Sequence, residues 1–156
     1  RKEVLDNMIR QLTRDSFLEL ENEKNVKMVT AFAEKSGAVV AATGKNDIVS
    51  DGRKAYWIQN GHSMMQTVTG VGCQLSALAA AYVAANPKHT LEAVTAAVSA
   101  IGVCGELAYE RMSDLDGNAS YRNYLIDAVY RLDGKKLERL ARVEKVNEDG
   151  EKSNEM

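Results

Sequence analysis

Only two cysteines, two histidines and one proline occur in this sequence, and neither charge sign dominates it. Two cysteines in 156 residues do not make a disulfide framework, so a reducing, cytoplasmic setting is expected. The formal net charge of -2 does not point to nucleic acid or an anionic membrane as a partner. It is also too small to specify a basic substrate. No uninterrupted apolar run approaches the ~20 residues that span a bilayer. The most apolar stretch, Leu75 to Ala85, is short and rich in alanine. No His/Cys/Asp spacing resembles a metal site, and His62 and His89 read as loop residues. The chain starts at Arg1 with no signal-peptide pattern, so it reads as the later part of a longer protein.

What is present is an ordinary globular composition, 45% apolar and 27% charged. Residues 1–146 are expected to form part of one domain, and residues 147–156 a disordered tail. Val4, Leu5, Met8, Ile9 and Leu12 predict an amphipathic helix over 1–12. A second helix is predicted from Ser16 to Lys35, closed by Ser36-Gly37. Ala38 to Ala42 reads as a buried strand, parallel and covered on both faces. Asp51-Gly52 between two β-prone runs predicts a hairpin over 48–58. Helices are predicted over 74–85, 90–111 and 121–132. Asn86-Pro87 stops the first, Thr90 caps the second and Asp133-Gly134 closes the third. Leu91, Val94, Val98, Ile101 and Ala108 are expected on one stripe, with Gly102 and Gly105 marking close contact or a bend. One short element is expected around 137–146. Strand, hairpin and flanking helices together indicate an α/β layered domain.

Thr69-Gly70-Val71-Gly72-Cys73 carries the most chemistry. The first amides of a helix have no intrahelical acceptor, and the helix dipole adds partial positive charge there. Gly70 and Gly72 remove side chains that would keep a phosphate away, so the turn fits an anion hole. Taken alone, the same two glycines favour a plain loop-to-helix turn. Cys73 adds a thiol in the first helical turn, where the local field favours thiolate. It can accept or position a substrate hydroxyl proton; a small packed cysteine is the commoner case. Cys104, among Val103 and Leu107, reads as core. Thr43-Gly44 sits at the carboxyl end of the first strand, where α/β folds bind ligands, or is simply a strand-ending turn. Glu106, Glu110 and Arg111 read as surface or helix-pair contacts rather than catalysts.

In combination, four segments resemble the C-terminal half of hydroxyethylthiazole kinases, of the ribokinase-like superfamily. They are Val39 to Gly44 with Asp47 to Gly52; Asn60-Gly61-His62 leading to Val68 to Cys73; Leu75 to Leu78; and Gly102 to Ala108 with Tyr124 to Tyr130. The resemblance runs from about Glu19 to Leu132. It implies a three-layer fold with a mostly parallel central sheet between helices, plus the hairpin, assembled as a homotrimer. It implies transfer of the ATP γ-phosphate to the hydroxyl of 5-(2-hydroxyethyl)-4-methylthiazole, with Mg2+, in thiamine biosynthesis or salvage. Thr43 would contact ATP and Gly70 the thiazole alcohol. The amides of Gly70 to Cys73, Val71 and Gly72 among them, would form the anion hole. Cys73 would stand where sugar kinases of the superfamily carry a catalytic aspartate.

The chain departs from the family pattern in several places. Val71 replaces threonine, Ser63 replaces proline, and Gly117-Asn118-Ala119 replaces Gly-Pro-Gly near the nucleotide. The resemblance implies that the family's first half, with its magnesium ligands, lies outside this sequence, so no metal ligand is expected within it. A strand and an Arg-Gly-Asn-type loop are expected at Leu12–Thr13 and are absent. The alternatives are a kinase for another small hydroxyalkyl heterocycle, or a non-catalytic binding or oligomerisation protein.

Overall fold

A computed structural model of the chain describes residues 23–146. The helix expected over 1–12, the join at Leu12–Thr13, the start of the helix expected from Ser16 and the tail from Asn147 lie outside the described residues. The chain divides into two compact units, one reaching Ile58 and resuming at Val143, the other running from Gln59 to Arg142.

In the first unit, helix α1 (Glu23–Ser36) precedes strands β1 (Val40–Ala42), β2 (Asp47–Ser50) and β3 (Ala55–Ile58). Strand β4 (Val143–Val146) completes a sheet of order β1-β2-β3-β4. Val26, Val29 and Ala33 recur at helical spacing and are buried on one stripe of α1. Val26 and Val29 pack with Ile48, Ala55, Trp57 and Val146 into one core. Burying each valine or isoleucine there contributes roughly 1.5–3 kcal/mol. Gly37, at φ +67°, donates its amide to Ala33 O at 2.9 Å and ends α1 as the sequence predicts.

Every strand pair among the described residues is antiparallel, with Val40 opposite Ser50, Ile48 opposite Trp57 and Ile58 opposite Val143. This corrects the parallel pairing expected of the first strand. The expected burial on both faces is also misplaced: Ala41 is exposed, whereas the adjacent Ile48 and Val49 in β2 are both fully buried. The continuous apolar run thus fixes neither strand direction nor burial on both faces.

The hairpin between β2 and β3 forms where Asp51-Gly52 predicts it, through four residues. Gly52 has φ +89°, and a Cβ there would lie 2.5 Å from Glu34 Cα, so both conformation and space demand glycine. Asp51 Oδ1 accepts from the amides of Arg53 and Lys54, both at 2.8 Å.

Asp47 opens β2 and accepts the Gly44 amide at 2.9 Å. Burial pushes its carboxyl up to about 6, against that hydrogen bond, which lowers it. A raised folded-state value favours the protonated native form. Asp47 therefore withdraws stability as pH rises from the ordinary carboxylate range to about 6, and the loss is complete above that. Asp47→Asn keeps an acceptor for Gly44. It is expected to raise the melting temperature at pH 7.5 and leave it unchanged at pH 3.5. Equal melting curves at pH 7.5 would contradict this.

In the second unit, a 3₁₀ turn (Ser63–Thr67) precedes α2 (Val71–Ala85), α3 (Thr90–Glu110), α4 (Asn118–Arg131) and α5 (Gly134–Leu140). Helix α3 packs against α2, α4 and α5. The single expected stripe is too narrow for it, because every residue from Ala97 to Gly105 is buried. A helix apolar all round is a core helix. By length and composition α3 can cross a bilayer, unlike the sequence expectation, but most of it is buried inside the protein. Thr95 and Ser99 satisfy their buried hydroxyls by donating to Leu91 O and Thr95 O, both at 2.8 Å. Cys104 is fully buried as expected, and burial pushes its thiol up to about 11.

Several boundaries shift. Thr90 is the first helical residue of α3, and the cap position falls to His89. Asp133 begins α5 rather than closing α4, its Oδ1 accepting from the Lys136 amide at 2.7 Å. The single element expected over 137–146 is two, α5 and β4.

Candidate active site

The glycine turn begins a helix three residues earlier than its composition suggests. Helix α2 starts at Val71, and Gly70 is its cap residue at φ +102°. The left-handed backbone is what requires glycine there, since a Cβ would meet nothing within 4 Å. Gly72 has ordinary helical backbone, and a Cβ added there would likewise meet nothing within 4 Å. Packing among the described residues therefore does not explain Gly72. Gln74 donates to Gly70 O at 3.0 Å, the first helical bond. The amides of Val71, Gly72 and Cys73 precede it and have no carbonyl four residues back to meet. They point out of a 15-residue helix at its positive end.

Cys73 is exposed in this first turn. Among the described residues nothing covers it, unlike the packed cysteine of the commoner case. Leu75, Leu78, Ala79, Tyr82 and Val83 form the half-buried side of α2 as expected, while Ala77, Ala80, Ala81 and Ala84 are exposed.

Asn60-Gly61-His62 is a structural joint leading to the turn. Asn60 is buried; its Nδ2 donates to Glu106 Oε2 at 3.2 Å and Leu140 O at 3.0 Å. Its Oδ1 accepts from the Arg142 amide at 2.7 Å. Gly61 donates its amide to Glu106 Oε1 at 2.8 Å, and Arg142 grips the same carboxylate with two nitrogens. Glu106 is therefore an anchor between α3 and two loops, more than the surface contact expected. Arg111, by contrast, pairs with Asp127 at 3.1 Å as the expected helix-pair contact. His62 accepts the Met64 amide at Nδ1, 3.2 Å away, which leaves the proton of the neutral ring on Nε2. Its ring stacks on Tyr109 with centroids 3.6 Å apart.

A cleft of about 340 Å³ adjoins the turn, lined by Thr67, Val68, Thr69, Asn118, Ala119 and Arg122. Of these, Thr67 and Arg122 carry no motif signal in the sequence. Thr43 belongs to the first unit, exposed just after β1, in the turn that Gly44 and Asp47 close. Among the described residues no group of three or more His, Cys, Asp or Glu side chains stands together to hold a metal ion.

Comparison with known proteins agrees with these segments. The model of the hydroxyethylthiazole kinase family matches residues 15–135. Hydroxyethylthiazole kinase of Clostridium acetobutylicum is 52% identical over 76% of this chain and 44% of its own length. The Arabidopsis thaliana enzyme of the same name is 38% identical over 83% of this chain and 46% of its own. The solved structure of a hydroxyethylthiazole kinase protein from Pyrococcus horikoshii superposes with a TM-score of 0.73 at 34% identity. It is covered by this chain over 47% of its length, and 80% of this chain is matched. The chain thus spans under half the length of these relatives.

Proposed function

Because this chain belongs to the hydroxyethylthiazole kinase family, we propose that the complete protein phosphorylates the hydroxyl of 5-(2-hydroxyethyl)-4-methylthiazole from ATP. The observation that carries the proposal is the first turn of α2, where Gly70 caps by backbone alone and Gly72 leaves the amides open.

In that reaction the alcohol oxygen bonds to the γ-phosphorus, the bond from phosphorus to the bridging oxygen breaks, and ADP departs. Negative charge on the transferring group is met by the amides of Val71, Gly72 and Cys73, held in place before the reaction. Cys73 receives the hydroxyl proton or orients the hydroxyl for attack. Gly70 borders the thiazole alcohol and Thr43 contacts ATP. The cleft beside the turn, with Arg122 on its rim, suits the nucleotide side. The described residues do not by themselves build a magnesium site. The steps assigned to this chain therefore run through its amides and thiol, and the proposal leaves Mg2+ ligation to the rest of the protein.

The same proposal takes both units as parts of one ribokinase-like domain, in a cytoplasmic homotrimer. Strand β1 is paired only to β2 among the described residues. Its other edge offers backbone groups to further strands, which supports a larger sheet with parallel members in the complete protein.

Turnover by the complete protein with Mg-ATP and the thiazole alcohol tests the reading. Formation of the thiazole phosphate is expected. Thiazole binding without turnover would replace the kinase with a binding protein, and preference for another hydroxyalkyl heterocycle would move the specificity.

A further inference from the structure

Asn118 is spent on neither capping nor its own helix. The cap of α4 is Gly117, and Asn118 is the first helical residue, a place where asparagine confers no special helical advantage. Its side chain instead reaches a segment 51 residues away. Nδ2 donates to Thr67 O at 3.1 Å, and Oδ1 lies 3.2 Å from Thr67 Oγ1. The Thr67 hydroxyl has one proton, and Met64 O is its nearer acceptor at 2.8 Å. The firm bond of the clasp is therefore the one from Asn118 Nδ2 to the Thr67 carbonyl. The reversed amide would set two oxygens against each other at that carbonyl, which fixes the orientation of the Asn118 side chain.

That carbonyl belongs to the peptide joining Thr67 to Val68, and Val68 is extended and buried against Ile101 and Cys104. The run from Thr67 to Gly70 is thus held at its start by Asn118 and at its second residue by the core. It then passes through exposed Thr69 into the left-handed Gly70. Rotation of the Thr67–Val68 peptide would be passed down two residues to the first amides of α2. Both Asn118 and Thr67 are exposed and line the cleft. An exposed neutral hydrogen bond adds little to overall stability, so the consequence of the clasp is local.

We propose that Asn118 is a positioning residue for the anion-hole turn, acting through the Thr67 carbonyl to set the direction of the amides of Val71 to Cys73. This rests on the reading of that turn as the phosphoryl site. The role requires that amide direction matter more to the reaction than to substrate binding, because misplacement of catalytic groups is felt chiefly in the transition state.

The test uses Asn118→Ala and Asn118→Asp in the complete protein. The aspartate keeps the shape but presents an oxygen to the Thr67 carbonyl in place of the donor. Both variants are expected to melt close to wild type. Exchange of the Gln74 amide, the first bonded amide of α2, should accelerate about fivefold, the factor one ordinary hydrogen bond represents, while α3 stays protected. The kcat should fall roughly tenfold with KM for the thiazole alcohol within about twofold. Unchanged exchange at Gln74 would overturn the positioning role, as would an Asn118→Asp variant matching wild type in both exchange and kcat. A wild-type protein without turnover would sink the kinase reading alone, and the exchange result would still judge the clasp.

Discussion

Replacing Cys73 with alanine is expected to lower kcat by roughly a hundredfold or more, the range for loss of a positioned proton acceptor. The substitution leaves the backbone amide of residue 73 in place, so the proposed anion hole keeps its donors and only the thiol is lost. Cys73 is exposed, and exposed substitutions usually change stability by no more than about 0.5 kcal/mol. Folding and catalysis should therefore separate in this variant. Cys73→Asp sharpens the test. A carboxylate in the first turn of a helix is favoured by the dipole, so the aspartate variant should fold at least as well. If it retains or raises activity, residue 73 holds the aspartate role of the sugar kinases. Steady-state kinetics and melting curves of the three proteins decide the matter. Undiminished kcat in Cys73→Ala, or an equal loss of folding in both variants, would mean the thiol has no part in the reaction.

Gly102→Ala is expected to lower stability markedly, although the change adds a single methyl group. Alanine improves the intrinsic helix propensity of α3 by about 1 kcal/mol. Its Cβ, however, would lie 2.8 Å from both Asn60 Cβ and Asn60 O. The neighbour is backbone, and Asn60 is tied to Glu106, Leu140 and Arg142, so it cannot yield without breaking those bonds. Overpacking costs about 1–3 kcal/mol and each buried polar group left unpaired a similar amount. The clash therefore outweighs the propensity gain, with a net loss of about 2 kcal/mol or more. Gly105→Ala is the internal comparison. Its Cβ would meet the Met65 side chain and lie 3.2 Å from the Tyr121 hydroxyl. Met65 is flexible and can swing aside, so this variant should cost less. Chemical denaturation of both variants provides the ranking; Gly102→Ala as stable as wild type would show that Asn60 is not rigidly held.

Local signals in the sequence carry far. Gly37 and Asn86-Pro87 end helices where expected, and Asp51-Gly52 makes its hairpin, because each effect is decided within a few residues. The two glycines of the α2 turn mislead, since only Gly70 leaves helical backbone and Gly72 is already inside the helix. The direction of β1 is set by its pairing with β2, and the all-round burial of α3 by three helices packed on it, and no periodicity encodes either. The site divides in the same way. That Gly70, Gly72 and Cys73 share one turn at the start of a helix is legible because it is decided locally. The Asn60–Arg142 and Thr67–Asn118 contacts join residues 82 and 51 positions apart. Motif comparison marked Asn118 as altered but had no means of naming its partner. Glu106 carried one usable sign, a carboxylate within a strongly apolar helix, which has to find a partner when half-buried.

The segment from Gln59 to Arg142 leaves the sheet after β3 and returns to it at β4, and its two ends touch. The Gln59 amide donates to Arg142 O at 2.9 Å, and the Arg142 guanidinium donates to Gln59 O at 2.8 Å. The whole helical excursion is thus a loop drawn shut by a knot of polar bonds around one glutamate. Chain-closure entropy grows only slowly with length, so such a long excursion is tolerated at equilibrium. Its cost falls on time instead. The pairing of β3 with β4, Ile58 opposite Val143, is a contact of long sequence separation, the kind that slows folding.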